Sequence, residues 1–451
     1  MNINRENFKF NFLFNSITYF FNLSSGLIKS MLVVKAAGQN LFGAYQYLVS
    51  SIFILIPFTN HLDWMLRRFI RDESKFQNEI LSANIYARLA LFFLAGISCI
   101  FIAPELGINS FDESKIIYQI LLLQFFTSTT KSLTGNVLVV FENYQIINKF
   151  DIISNALWIT CIFCLIYVSI NGQVFLIYNT ALACFFDSLA IIFFLIAIRK
   201  NKYLTAFKIV SPIKAYKYGY APFHRFTLPL FFSDLSGLLK SYLPAIVLGS
   251  QGKFDSYTIY HIVKKFFETA HKAIPNIFSS MFNTVLKNKD SENFSRNWMR
   301  INIGYHFIIF TFCMLSYSLG GFILTNFYNI SLSQTIYYVF FYFSCYLISG
   351  AWLNSNNYML LLSNDTRIIL FGTVSRQIIW ISYLYFQYHA LNDVKLSMLL
   401  FITQVPFILL SSIHLSTSFN QKLNQKLFFI ICSLFIFANY LLSNFFGNQI
   451  R

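Results

Sequence analysis

Charge is what this sequence has least of, and acid is scarcer than base. Of its 451 residues 12% are charged, about half the roughly 25% of an ordinary soluble domain, and 18 Asp and Glu face 34 Lys and Arg. No long polar stretch interrupts the apolar runs of twenty or more residues, so there is no water-soluble domain to hold an active site or a nucleic-acid surface. The net charge of +16 would otherwise invite a nucleic-acid partner, but the cations are spread over short loops. Motifs for energy conversion and hydrolysis are missing too: no GxxxxGK(S/T), no HExxH and no GxSxG occurs. A non-enzyme without cofactor follows, and any transport must run on a gradient or on the cargo itself.

Metal chemistry is equally unsupported. The seven cysteines lie in apolar spans, and only Cys161 and Cys164 have CxxC spacing; inside a hydrophobic helix they read as two small buried side chains. The opening "MNINRENFKF" runs into a span with no small-residue cleavage site, unlike a secretory signal.

What is present is hydrophobicity, 56% of the chain. Apolar runs predict helices near 10–34, 40–66, 81–103, 116–140, 146–170, 173–198, 224–248, 255–283, 301–326, 333–362, 367–389 and 395–418. Each is long enough to cross about 30 Å at about 1.5 Å per residue. A thirteenth apolar stretch near 427–446 is either a further span or an interfacial segment. The fold class is therefore an all-α polytopic membrane protein. Basic residues orient it: with the N-terminus cytoplasmic, the outer loops hold only Lys35, Lys115, Lys253, Lys395 and Arg451, while clusters such as Arg67, Arg68 and Arg71 fall inside.

The spans repeat. "LSSGLIKS" at 23–30 returns as "DLSGLLKS" at 234–241, matching Lys29 with Lys240, and Gly38 falls on Gly249 further along. This predicts two parallel six-helix bundles: a lobe over 1–198, a basic cytoplasmic linker over 199–222, a second lobe over 223–420, and the extra segment at 421–451. Such repeats are typical of transporters.

Several ionisable residues lie where hydrocarbon disfavours them, at about 2.5–3.5 kcal/mol each on insertion scales. Lys29, Lys131, Lys240, Lys264, Lys265, Lys272 and Arg376 are the intramembrane cations; Asn22 and Asn354 extend the polar stripe. Arg88 and Arg225 sit close enough to span ends to reach an interface. Asp187, Asp234 and Glu268 are the acids that either pair with these cations or couple transport to an ion; Asp63 and Asp151 complete the set. Two readings stay open, a cationic cavity for an anionic cargo or structural ion pairs such as Lys29 or Lys131 with Asp187, Lys240 with Asp234, and Lys265 or Lys272 with Glu268. Cations outnumber acids, so pairing cannot neutralise them all. His271 reads as a packing residue, and "NSNN" at 354–357 as a helix irregularity.

Three stretches carry a family likeness: "KSMLVVKAAGQNLFGAYQYLVSSIFILIPFTNHLDWMLRRFIR", "FENYQIINKFDIISNALWI" and "NNYMLLLSNDTRIILFGTVSRQIIWI". With the two-bundle pattern, the chain resembles the O-antigen and capsular polysaccharide flippases (Wzx-type) of the multidrug/oligosaccharidyl-lipid/polysaccharide (MOP) superfamily, with a MATE-like fold. The resemblance implies movement of a polyprenyl-pyrophosphate-linked oligosaccharide from inner to outer leaflet of a bacterial inner membrane, by alternating access. It also implies H+ or Na+ as coupling ion, contact with polymerase and chain-length proteins of the same pathway, and the seven cations above as the lining of the cavity. Its rivals are a multidrug extruder, a lipid II-type flippase with extra C-terminal spans, and a polytopic polysaccharide polymerase. Surplus lysine argues against the extruder, and the short outer loops against the polymerase.

Overall fold

The computed structural model describes residues 21–22, 24–56, 58–59, 62–63, 66, 76–105, 114–141, 143–168, 170–201, 208–222, 235, 241–287, 294–328, 330–362, 366–418, 433–434, 436–441 and 443–444. Among them there are helices and turns but no strand. We number the main helices α1 (24–37), α2 (Gln39–Phe53), α3 (Gln77–Glu105), α4 (Ser114–Val140), α5 (Tyr144–Tyr167), α6 (Gly172–Lys200) and α7 (Ser241–Ser250). They continue as α8 (Phe254–Lys287), α9 (Phe294–Tyr328), α10 (Gln334–Leu362), α11 (Thr366–Phe386), α12 (Asp393–Ile402) and α13 (Val405–Ser418). Six stretches, Gln77–Ile97, Gln145–Tyr167, Gly172–Lys200, Arg296–Tyr328, Gln334–Asn356 and Asp393–Leu415, are long and apolar enough to span a bilayer. The outer faces of these helices carry Phe93, Leu94, Ile97, Phe163, Phe185, Ile192 and Phe322, an apolar surface water would not tolerate and lipid does. The protein is multi-pass.

The chain divides into two compact units, Met1–Phe254 and Asp255–Arg451. Each is built round its own central helix. In the first, α4 packs against α2, α3, α5 and α6; in the second, α10 packs against α9, α11, α12 and α13. These helices are the spans that the repeat aligns, 116–140 with 333–362.

Local chemistry sets the helix ends. Asn171 caps α6 by accepting from the Gln173 N–H at 3.1 Å, and Arg199 and Lys200 sit in its last turn, where the helix dipole favours cations. Gly38 separates α1 from α2 at φ +85°, a left-handed conformation that a Cβ disfavours. The second left-handed residue is Gly252, at φ +70° between α7 and α8. Gly249, the residue aligned with Gly38, lies against the Tyr47 ring, where a Cβ has no room.

The expected continuous helix over 40–66 breaks. α2 ends at Phe53, and the chain tightens into i→i+3 bonds, Ile56 N–H to Phe53 O at 3.0 Å and Thr59 N–H to Ile56 O at 2.8 Å. Pro57 explains this, because it lacks an N–H and its ring would collide with the Phe53 carbonyl in a regular helix. Pro406 has the same effect on the last expected span, which divides at Thr403 and Gln404 into α12 and α13. The thirteenth apolar stretch is helical in its described part, and it packs inside the second unit. The Tyr317 hydroxyl donates to the Asn439 carbonyl at 3.4 Å, and Tyr440 meets Phe341 edge-on.

Arg88 does not reach an interface, as its place near a span end suggested. It is 3% exposed and paired with Asp63, itself 8% exposed. Its remaining donors go to the Thr129 carbonyl at 3.0 Å and to Asn84 Oδ1 at 2.8 Å, and Ser132 donates to the second Asp63 oxygen at 2.6 Å. One ion pair thus ties the segment after α2 to α3 and α4. Removing a single partner leaves a buried charge unmet, so Arg88→Met or Asp63→Leu alone should cost about 3–5 kcal/mol. The double variant should cost clearly less than the two added, and a double-mutant cycle on unfolding of the purified protein measures the difference.

Candidate functional site

The centre of α4 reads "TSTTKSLTGN", and its hydroxyls mostly turn back onto their own helix. Thr127 donates to Gln124 O at 3.1 Å, Thr130 to Phe126 O at 2.8 Å and Thr134 to Thr130 O at 3.2 Å. This is how hydroxyls sit in a membrane helix without seeking partners elsewhere. Two neighbours do look outward. Ser132 joins the sealed Arg88–Asp63 network, and Lys131 faces the opposite family of helices.

Lys131 Nζ lies 3.2 Å from Asp187 on α6 and 3.7 Å from Asp151 on α5. The three side chains keep 30%, 15% and 25% of their surface exposed, so unlike Arg88 and Asp63 they are open to a ligand or an ion. Beside them Lys29 donates to Asn155 Oδ1 at 2.5 Å and stands 3.7 Å over the Trp158 ring, a cation–π contact. Asn155 donates in turn to Asn22 Oδ1 at 2.8 Å, and the Trp158 indole N–H to Asn179 Oδ1 at 3.2 Å. The Lys29 ammonium also acts on both carboxylates. Asp151, Asn155 and Trp158 follow steps of four and three, which puts them on one face of α5. That polar stripe on an otherwise apolar helix was the signal for Asn155, Trp158 and their partner Asn179, which the sequence reading passed over. Among the described residues, two lysines meet two aspartates here, and their charges balance.

The second unit differs. Lys264 Nζ pairs with Glu268 Oε1 one turn on, at 3.7 Å, and lies 5.8 Å from the Tyr260 ring centroid. Glu268, expected to pair with Lys265 or Lys272, has Lys264 as a partner. Lys265 is half-buried on the same helix. Arg376 on α11 donates to the Gly372 carbonyl at 3.3 Å and to Thr373 Oγ1 at 3.2 Å, with its guanidinium 5.0 Å from the Phe407 centroid. Among the described residues no carboxylate lies within ion-pairing distance of it. In this unit Lys264 is thus paired with Glu268, while the described partners of Arg376 are neutral.

The asparagine run is largely structural. Asn356 donates to Ser411 at 2.9 Å and Ser412 at 3.1 Å, joining α10 to α13, while Asn354 reaches the Tyr305 hydroxyl at 3.4 Å. His271 packs on Tyr346, ring centres 5.6 Å apart, and against Gly350. Lys240 and Asp234 lie outside the described residues, as does the side chain of Lys272. Cys164 faces outward and Cys161 is half-buried, so the pair is not the buried one expected. Among the described residues no His, Cys, Asp or Glu cluster is fit to hold a metal.

No family model matches the chain, and no curated relative does. Solved structures do. The lipid II flippase MurJ in an inward closed conformation superposes with a TM-score of 0.61 at 17% identity, over 97% of this chain and 100% of that one. The Vibrio cholerae MATE transporter VcmN gives 0.58 at 13% identity, over 90% and 97%. An inward-facing multidrug resistance MATE transporter of the MOP superfamily gives 0.54 at 14%, over 90% and 96%. The fold is that of the MOP-superfamily transporters, across nearly the whole chain.

The balanced charge in the first unit makes a direct expectation. Lys131→Met leaves two carboxylates facing each other and should lower the thermal midpoint of the purified protein. Adding Asp187→Asn should restore much of the loss, because the remaining Asp151 can still pair with Lys29. A midpoint in the double variant below that of Lys131→Met would contradict the shared ion pair.

Proposed function

We propose that the chain is a flippase-type transporter for an anionic lipid-linked cargo, an oligosaccharide on polyprenyl pyrophosphate, moved from inner to outer leaflet by alternating access. The observation that carries this reading is Arg376, half-buried on α11 and held by neutral partners, with no carboxylate within ion-pairing distance among the described residues. An ammonium is a mobile point-charge ligand for phosphate, and the guanidinium offers a flat pair of donors for its oxygens. Lys29, Lys131, Lys240 and Lys272 belong to the same proposal. Lys29 and Lys131 are released to the cargo only when Asn155 or the aspartates let go.

The division of charge suggests a division of labour. Asp151 and Asp187 share one lysine and stay accessible, which suits a pair that takes up H+ or Na+ as the cargo leaves. The membrane potential adds its own bias, about 2.3 kcal/mol per charge per 100 mV for an anion leaving a negative cytoplasm. A two-lobed arrangement with the basic linker at 199–222, a cytoplasmic N-terminus and a place in a bacterial inner membrane completes the proposal, and polymerase and chain-length proteins are its expected neighbours. The multidrug reading would draw on the same two aspartates, and it leaves Arg376 without a role.

Reconstituted in proteoliposomes with a fluorescent polyprenyl-pyrophosphate oligosaccharide, the wild-type chain should expose the label to an external quencher. Replacing Lys264, Lys265 and Arg376 together with Gln should slow this at least tenfold at equal protein content. An undiminished rate would overturn the anionic-cargo reading, and export of cationic dyes instead would favour the multidrug one.

A further inference from the structure

The segment between the last helix of the first repeat and α7 is expected as a linker, yet its described part is built into the first unit. The Lys208 N–H donates to Asn78 Oδ1 at 3.2 Å, the Val210 N–H to Ser82 at 3.1 Å, and the Tyr86 hydroxyl to the Val210 carbonyl at 2.8 Å. Tyr218 stacks on Phe76 with ring planes 4° apart. Gly219 lies so close to the Glu79 backbone that a side chain has no space. Pro212 opens a short turn of helix that widens into a π-helical turn over Ala215–Tyr220, closed by the Ala221 N–H on the Tyr216 carbonyl at 2.8 Å. Four anchors over a dozen residues hold this segment along the first turns of α3.

Between the segment and α3 lies an apolar groove of about 450 Å³, lined by Phe58, Tyr86, Ala90, Ala215, Tyr216 and Tyr220 among others. Its size falls within the roughly 300–1,000 Å³ of small-ligand sites. The surface beside it is amphipathic in a particular way. Ile209, Ile213 and Tyr216 are exposed, Ile213 by 80%, and so are Lys208, Lys214 and Lys217. Lys214 and Lys217 bracket in sequence the Ala215 and Tyr216 that line the groove. Exposed apolar side chains mixed with lysines mark an element lying in the headgroup region of a membrane. On the orientation expected from the basic residues of the flanking loops, this end of the unit faces the cytoplasm, where anionic lipids collect basic segments.

We propose that this groove is a binding site for an anionic phospholipid, with one acyl chain between α3 and the 212–220 segment and the phosphate on Lys214 and Lys217. The match of charge and shape carries the assignment: an apolar slot whose lining residues Ala215 and Tyr216 are flanked in sequence by exposed lysines fits a molecule with an apolar tail and an anionic head. The site is separate from the Lys131 cluster and does not depend on the identity of the cargo. A lipid seated here fastens the linker to α3 at the membrane surface.

The test is lipid retention by the full-length protein in mild detergent, read by native mass spectrometry with phosphatidylglycerol or phosphatidylcholine as probe. Phosphatidylglycerol should be retained over phosphatidylcholine, and Lys214→Gln and Lys217→Gln should each weaken its retention about fivefold. Ala90→Phe, which fills the groove, should lower retention of both lipids while the protein elutes and melts as the wild type does. Ala87→Phe serves as the second filling variant if the first does not fold. Inorganic phosphate at millimolar concentration should not displace the lipid. Equal retention of the two lipids, retention unaltered by the filling variants, displacement by phosphate, or a second copy of the chain in place of the lipid would each overturn the proposal.

Discussion

The first unit depends on one buried ion pair, Arg88 with Asp63. In hydrocarbon there is no water to receive a stray donor, so every polar group must find its partner inside the protein or leave the membrane. Arg88 meets that demand with Asp63, the Thr129 carbonyl and Asn84. Doing so constrains the rotation of α3 relative to α4, because Arg88 must reach the Thr129 carbonyl while its partner Asp63 accepts from Ser132. With α4 held, Lys131 is turned toward α5 and α6, one residue and about 100° away from the sealed pair. The accessible cluster is thus aimed by the inaccessible one.

The two units use the same architecture for different electrostatics. Around α4, lysine and aspartate balance; around α10, the polar contacts are neutral, Ser349 with Gln404 and Asn356 with the serines of α13, while the cations stand on α8 and α11. Neutral hydrogen bonds between membrane helices hold them without demanding a counter-charge. The internal order of the second unit is therefore held largely by neutral contacts around α10.

Much of this was legible in the sequence. Apolar length located most of the described helices, though 40–66 and 395–418 break at their prolines, and the repeated "LS-GL-KS" phrase pointed to two halves, though Lys240 and Asp234 fall outside the described residues. The pairing of Lys131 with Asp187 was one of two readings held open. What stayed hidden was helix rotation. Asp63 and Arg88 are 25 residues apart, and Lys29 and Asn155 are 126 apart. No periodicity connects such positions, so Arg88 looked like an interfacial residue. The stripe Asp151, Asn155, Trp158 was readable in principle, since steps of four and three mark one helix face. It was overlooked because asparagine and tryptophan carry no charge to announce them.

The sharing of Lys131 between Asp151 and Asp187 has a consequence for how the chain is made. Synthesis runs from the N-terminus, so α4 emerges with its ammonium before either acid exists. At that moment the helix bears an uncompensated charge worth about 2.5–3.5 kcal/mol at the bilayer centre. Relief comes in two instalments, one with α5 and one with α6. The nascent protein is thereby discouraged from releasing α4 into lipid alone, and the last three helices of the first repeat are led to enter the membrane as a group.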